Sequence, residues 1–188
     1  MHVKPCEVDF DGQAYTFKAS QQFEKGEELF MSYGSHPNDF LLVEYGFCLE
    51  DNESDAVYLD DIVYRELTAA HKKELLSQKL YGNYKVTSVG VCHRAKAVAC
   101  IKYMTSRQWR NYVLGRIQDE ENKTTSILHD WVGTYIKEST VKIQSLKDIQ
   151  MEQQLGARDG KNDKIDLLLN RWVRIKTLCE DALRAISF

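Results

Sequence analysis

The stretch GEELFMSYGSHPNDFLLVEYGF, residues 26–47, decides how the rest of this 188-residue chain is organised. A glycine turn at Gly26 comes before an apolar run, residues 29–33, which predicts a β-strand. The run is apolar on both faces, so the predicted strand is expected to be covered on both sides. The strand ends at Tyr33, and the glycine after it begins a turn that contains Pro37.

A short helix is predicted after this turn, over residues 40–45. Asn38 or Asp39 can cap its first turn, because both side chains accept hydrogen bonds from unpaired backbone N–H groups. Gly46 stands where a helix commonly ends on a left-handed residue, and Phe47 is expected to fold back onto the last turn. The two tyrosines of the stretch, each followed by glycine, thus lie one short helix apart.

Upstream of this stretch the sequence predicts a β-hairpin. Residues 6–10 alternate weakly between apolar and polar side chains, and residues 14–17 are rich in β-branched and aromatic side chains. Asp11-Gly12 between them is a strong hairpin turn signal.

Downstream, from Asp60, the apolar residues follow a helical period. One helix is predicted from residue 60 to residue 80, where residues 81–86 break it, and further helices are predicted near 95–103 and 107–114. We therefore predict an α+β fold: a small antiparallel β-rich domain at residues 1–59, followed by a helical domain at residues 60–188.

The last third of the chain predicts a long antiparallel helix hairpin. Two apolar series step by three and four residues, one over residues 128–146 and the other over residues 165–186, and the second is a clean heptad seam. The turn Gly156-Ala157-Arg158-Asp159-Gly160 permits the two helices to pack on each other. Burial in this seam explains Trp131 and Trp172 better than a ligand-binding role does.

Composition excludes several classes of protein. The net charge of −3, with 43% hydrophobic and 28% charged residues, is that of an ordinary globular protein, and it gives no electrostatic reason to expect nucleic acid. No apolar run reaches the roughly 20 residues of a membrane span, and the N-terminus has no secretory signal. We therefore predict no nucleic-acid partner and no membrane partner.

The five cysteines are odd in number and scattered, which favours free thiols and an intracellular location, cytoplasmic or nuclear. A zinc site built from Cys92, His93 and Cys100 is disfavoured, because structural zinc prefers four ligands in closely spaced pairs. No metal ligands are predicted.

One stretch of this sequence resembles the C-terminal part of a SET domain. It consists of residues 26–34, followed by Asn38-Asp39, Leu41-Leu42 and Tyr45-Gly46-Phe47. The resemblance is in particular to the SET proteins that carry a helical substrate-binding domain, like the rubisco large-subunit lysine methyltransferase. Many elements of the motif occur in the right order, so a chance match is improbable. The helical region that follows resembles the C-terminal domain of that class in layout only.

This resemblance implies transfer of a methyl group from S-adenosylmethionine to a lysine of a protein substrate, or to a histidine in some relatives. Tyr33 would be the catalytic tyrosine whose phenol faces the methyl-transfer centre and touches the cofactor. Tyr45 would help hold the substrate backbone. Phe47 would line the region where the cofactor and the substrate channel meet.

The sequence departs from the SET pattern in its N-terminal part. A full SET domain begins with a Gly-x-Gly strand turn that holds the cofactor, and later has an Asn-His motif. Gly-x-Gly is missing from this sequence, and Met1-His2 falls where the Asn-His pair would be, which makes His2 a candidate cofactor contact. We therefore expect a C-terminal SET remnant, truncated and with little or no methyltransferase activity as the 188-residue chain.

Two further hypotheses remain open at the level of sequence. The helical part could act as a non-catalytic module that grips a protein partner through the grooves between its helices. Alternatively, the chain could be a structural remnant that folds poorly and has no activity.

Overall fold

The computed structural model describes residues 6–155 and 163–186. The chain divides into two compact units, with the division between His36 and Pro37. Small antiparallel sheets and a majority of helices make it an α+β protein, as the sequence predicts. The assignment of residues 1–59 and 60–188 to two domains stays a prediction.

The first unit contains the predicted β-hairpin. Strands β1 (Glu7–Phe10) and β2 (Tyr15–Lys18) are antiparallel, with Val8 opposite Phe17. In the turn, the Asp11 carboxylate accepts hydrogen bonds from the N–H groups of Gln13 (2.9 Å) and Ala14 (2.8 Å). These two bonds hold the pKa of Asp11 below its usual value.

The predicted strand over residues 29–33 is wrong. Its only bridge among the described residues joins Met31 to Cys6 in parallel, with the Cys6 N–H donating to the Phe30 carbonyl at 2.7 Å. The run is also not covered on both sides, since Leu29 is 58% exposed and Tyr33 is 42% exposed. Apolar side chains favour a strand, but a strand also needs neighbours that pair with its backbone.

The second unit begins with helix α1 (Asn38–Tyr45), which is followed by strand β3 (Val57–Tyr58). The single helix predicted over residues 60–80 is wrong, because the chain forms two helices there, α2 (Asp60–Glu66) and α3 (Ala69–Ser77). Thr68 divides them: its hydroxyl oxygen accepts the His71 N–H at 3.1 Å and so caps α3.

A small antiparallel sheet was not predicted from the sequence. Strands β4 (Lys85–Thr87) and β5 (Gly90–Val91) join β3 in the order β3-β4-β5. The predicted helix break at residues 81–86 is confirmed. Asp60 holds the backbone of this break, because its carboxylate accepts hydrogen bonds from the N–H groups of Asn83 (2.8 Å) and Tyr84 (2.9 Å).

Four further helices complete the unit: α4 (His93–Tyr103), α5 (Ser106–Val113), α6 (Glu121–Leu155) and α7 (Asp163–Ile186). Helices α6 and α7 pack together as the predicted hairpin, whose turn at residues 156–160 lies outside the described residues. The apolar seam of α7 is buried where the helix packs against the core of this unit, although Leu168 is exposed. No helix in the described ranges is long and apolar enough to cross a membrane.

The core of the second unit lies between the sheet, α4 and the hairpin. Its centre is fully buried and consists largely of aliphatic side chains and Tyr84. Trp131 is 2% exposed, and its indole N–H donates to Glu66 at 2.9 Å, so the predicted structural role of this tryptophan agrees with its position.

Candidate functional site

Tyr45 and Phe47 lie side by side on the surface of the second unit. Their ring centroids are 6.4 Å apart, with 35° between the ring planes. Phe40, one turn earlier in α1, meets the Tyr45 ring edge-on at a centroid distance of 6.2 Å. Tyr45 is 49% exposed and Phe47 is half-buried, so the two rings form a partly exposed aromatic wall.

Gly46 makes this arrangement possible. It ends α1 with a φ of +79°, and its N–H donates to the Leu42 carbonyl at 3.0 Å, as predicted for a left-handed cap. The chain therefore turns sharply after Tyr45, and Phe47 returns beside it.

The predicted side-chain cap at the start of α1 is wrong. Pro37 occupies the N-cap position, and neither Asn38 nor Asp39 caps the helix. Asn38 is instead fully buried, and its side chain bonds to the chain beyond the helix. Its amide N–H₂ donates to the Leu49 carbonyl at 3.1 Å, and its amide oxygen accepts the Leu49 N–H at 3.0 Å. Asn38 thus closes the segment that carries Tyr45 and Phe47.

The Asp55 carboxylate accepts two hydrogen bonds from Asn38. One carboxylate oxygen accepts the Asn38 backbone N–H at 3.0 Å, and the other accepts the Asn38 side-chain amide at 3.0 Å. Asp55 also pairs with Arg171 of α7 at 2.7 Å, and Arg171 pairs with Asp39 at 2.6 Å. Burial by itself would lower the pKa of Arg171, but the two carboxylates outweigh it and raise this pKa.

These supporting residues were missed in the sequence. Asp55 and Arg171 lie in unrelated parts of the chain, and no spacing pattern connects residues 116 positions apart. The apolar series of the predicted helix passes from Leu168 to Trp172 and skips Arg171, so its spacing gives no sign of this contact.

Tyr33 lies in the first unit. Its backbone leads into a tight turn, in which the Gly34 N–H donates to the Ser32 hydroxyl at 3.2 Å and the His36 N–H donates to the Gly34 carbonyl at 3.1 Å. Gly34 has a φ of +89°, and a Cβ there would come within 3.2 Å of the His36 ring. A side chain at this position would therefore strain the turn that follows Tyr33.

The structure thus brings together two of the predicted site residues, Tyr45 and Phe47. Tyr33 belongs to the other compact unit, and His2 lies outside the described residues. In the ranges that the structure describes, no group of three or more histidine, cysteine or carboxylate side chains is placed to hold a metal ion.

Comparison with known proteins gives a consistent set of relatives, although no family model matches the chain. Ribosomal lysine N-methyltransferase 2 of Saccharomyces cerevisiae is 32% identical over 130 residues, which are 65% of this chain and 27% of that protein. Ribosomal lysine N-methyltransferase set11 of Schizosaccharomyces pombe is 44% identical over 48 residues, 26% of this chain and 13% of that protein. SET domain-containing protein 4 of Homo sapiens is 24% identical over 185 residues, 92% of this chain and 39% of that protein.

The chain is related to SET-domain lysine methyltransferases. This relationship confirms the resemblance drawn from residues 26–47 at the level of SET-domain lysine methyltransferases. The narrower assignment to the rubisco methyltransferase-like class stays a prediction. The chain spans well under half the length of each of these three relatives, between 13% and 39%.

Proposed function

We propose that this chain carries the acceptor side of a SET-domain protein-lysine methyltransferase of the rubisco large-subunit methyltransferase-like class. The reaction is transfer of a methyl group from S-adenosylmethionine to a lysine side chain of a protein. The observation that carries the proposal is the paired ring wall of Tyr45 and Phe47, which stands within the segment that resembles the SET motif.

The geometry suits an amine acceptor. Methyl transfer needs a neutral amine aligned behind the methyl carbon, so positioning and exclusion of water supply most of the acceleration. The Tyr45 phenol can hold the substrate by a hydrogen bond, and Phe47 presents an apolar surface next to it. Tyr33 is proposed as the catalytic tyrosine that orients the amine.

The aromatic residues also fit the proposed cofactor. S-Adenosylmethionine supplies an electrophilic methyl group on a positively charged sulfonium, and the faces of aromatic rings attract cations. The rings of Tyr45 and Phe47 lie beside each other, and Tyr45 is 49% exposed, which supports this fit. We propose that Phe47, together with Tyr33 and His2, contributes to the cofactor site.

The proposed substrate class is a ribosomal protein that bears a lysine. Support comes from two of the relatives, which are named as ribosomal lysine N-methyltransferases. The helical region at residues 60–188 is proposed as the substrate-binding domain. The odd number of cysteines, all of them free thiols in the structure, supports an intracellular location, cytoplasmic or nuclear.

Site-specific photocrosslinking tests this proposal. A photoreactive phenylalanine analogue replaces Tyr45 in the full chain, and purified ribosomal proteins are added. We expect crosslinks to a short peptide centred on a lysine, because the ring wall faces the acceptor. The matched control carries the same analogue at Val43, which is 79% exposed on the same helix. Equal crosslinking yields from positions 45 and 43 would contradict the proposal.

A second candidate function is a non-catalytic protein-binding helical module. It is favoured by a cleft of about 310 Å³ between α3, α4 and α5, whose lining includes His71, Glu74, Trp109 and Arg110. Glu74 accepts the Trp109 indole N–H at 3.0 Å, and His71 Nδ1 is buried without a hydrogen-bond partner among the described residues. A photoprobe at Arg110 distinguishes the two functions, because a binding module would crosslink there and not at position 45.

A further inference from the structure

Arg171, on the second helix of the hairpin, reaches the segment that carries the aromatic wall. Its side chain is only 3% exposed, and it contacts two carboxylates, one near the start of that segment and one beyond its end in sequence. We propose that Arg171 is a positioning residue for methyl transfer: it holds the segment 38–49, and with it Tyr45 and Phe47, against the C-terminal hairpin. This inference rests on the proposed function.

The guanidinium group forms a two-pronged contact. Its Nε donates to Asp39 at 2.6 Å, in the first turn of α1, and its Nη1 donates to Asp55 at 2.7 Å. A planar guanidinium presents these donors at fixed angles, so it sets the distance between Asp39 and Asp55. A lysine has a single ammonium group on a flexible stem and cannot reproduce this geometry.

The contact reaches the aromatic wall through Asn38. Asp55 accepts two hydrogen bonds from Asn38, and Asn38 in turn exchanges two with Leu49. Tyr45 and Phe47 lie between these two ends. One arginine of α7 therefore fixes the start of α1 directly, through Asp39, and the chain after Phe47 through two intermediate residues, Asp55 and Asn38.

A second contact from α7 reinforces the first. Arg174, one turn after Arg171, donates to the backbone carbonyl of Glu50, next to Leu49. The hairpin thus touches the segment at its beginning, through Asp39, and just beyond its end, through Glu50. This arrangement couples α7 to the position of the aromatic wall.

The chemistry of the contact indicates a geometric role more than a stabilising one. In many proteins, the free energy lost when two charged side chains are removed from water is as large as the free energy gained from their attraction. Apolar side chains at such sites often give a folded protein that is at least as stable. Moreover, Arg171 Nη2 is buried without a hydrogen-bond partner among the described residues. An arginine with an unused donor contributes less to stability than a fully bonded one. Its guanidinium group still fixes the positions of the Asp39 and Asp55 carboxylates.

Amide hydrogen exchange, followed by NMR in the full chain, tests the inference without any cofactor. The first variant is Arg171→Lys, which keeps the positive charge. The second is Asp39→Asn, a milder change at a half-exposed side chain, which serves as the test if the first variant unfolds. The reporters are the N–H groups of Gly46 and Leu49, and the reference is the N–H of Val63 in α2. Arg184→Met removes an exposed cation of the same helix as a control.

We expect exchange at Gly46 and Leu49 to rise about tenfold in both variants, while exchange at Val63 stays unchanged. The control variant should leave all three amides unchanged. An equal rise at Val63, which would indicate a purely structural role, or no rise at Gly46 and Leu49, would overturn the inference.

Photocrosslinking connects this result with the proposed function. With the photoprobe at position 45, Arg171→Lys should lower the yield of crosslinks to the lysine peptide severalfold, because the aromatic wall is displaced. An unchanged yield would overturn the inference. If the probe at position 45 gives no such crosslink without the substitution, the proposed function fails, whereas the exchange result still decides the role of Arg171 in holding the segment.

Discussion

Asn38 and Leu49 are joined by a pair of hydrogen bonds, with the Asn38 side chain donating at 3.1 Å and accepting at 3.0 Å. An asparagine amide matches a backbone amide group in its donor and acceptor, so this pair imitates a rung of an antiparallel ladder. The segment that it closes contains the two aromatic residues of the candidate site. Their position therefore depends on a side chain that is itself completely buried.

Replacing Asn38 with alanine should lower the free energy of unfolding by about 1–3 kcal/mol, because several buried polar groups lose their partners. Among them are the Leu49 N–H and the Asp55 carboxylate. Urea denaturation of the full chain measures the change. Asn170→Ala, at an exposed position of α7, is the control and should change stability by less than about 0.5 kcal/mol. Equal effects of the two substitutions would argue against a clamp at Asn38.

Replacing Gly46 with alanine should destabilise the chain by about 1–2 kcal/mol, since its φ is +79° and side chains rarely adopt that conformation. No atom lies within 4 Å of the added Cβ, so the expected cost is conformational and not steric. Gly133→Ala is the matched control, because that glycine lies inside α6 with an equally open Cβ position. The control should stabilise the helix by about 0.5–1 kcal/mol. Effects of the same sign at both glycines would contradict this account.

Glu66 makes the free energy of unfolding depend on pH. Burial by itself would raise the pKa of Glu66, but hydrogen bonds from Lys102 and Trp131 outweigh it, so the folded-state pKa is lowered. Its contribution to stability is therefore present above about pH 4.3, the ordinary pKa of glutamate, and is lost as the pH falls through the folded-state value.

Glu66→Gln should therefore be less stable than the wild type near pH 7, by up to about 1 kcal/mol because the pair is partly exposed. The difference should shrink below about pH 4. Thermal unfolding across this pH range measures it, with the exposed Glu152→Gln on α6 as the control. A difference that grows towards acid pH would show that the sign is wrong.

S-Adenosylmethionine should bind the 188-residue chain only weakly. The sequence contains no Gly-x-Gly turn, the element that holds the cofactor in the SET proteins it resembles. Isothermal titration calorimetry with the wild-type chain tests this expectation, with Tyr33→Phe titrated in parallel. Micromolar binding by the chain would overturn the prediction.

Local signals in the sequence predicted local structure well. The Asp11-Gly12 turn gave the β-hairpin, Gly46 gave the end of α1, and the heptad seam gave the helix hairpin. Each of these features depends on residues close in sequence, whose turn chemistry or apolar period is visible in the sequence itself. Tyr45 and Phe47 also lie in one compact motif, and the structure places their rings side by side, while their functional roles stay predictions.

Features that depend on distant residues were missed or mistaken. The apolar run at 29–33 has no partner strand in the part of the chain that the structure describes, and β3 and β5 are too short, at two residues each, to show a period. Thr68 divides a run that looks like one helix, because its capping bond competes with helix continuation. The contact of Arg171 with Asp39 and Asp55 forms only when the hairpin packs on α1, so the sequence contains no local sign of it.

The product of the reaction tests the proposed function most directly. The full chain is incubated with ribosomal proteins and millimolar S-adenosylmethionine, and peptides are analysed by mass spectrometry. Because the sequence contains no Gly-x-Gly turn to hold the donor, we predict little or no methylated lysine with the wild-type chain, and none with Tyr33→Phe. Extensive methylation of a lysine by the wild-type chain, or a detectable wild-type yield that Tyr33→Phe leaves unchanged, would contradict the prediction.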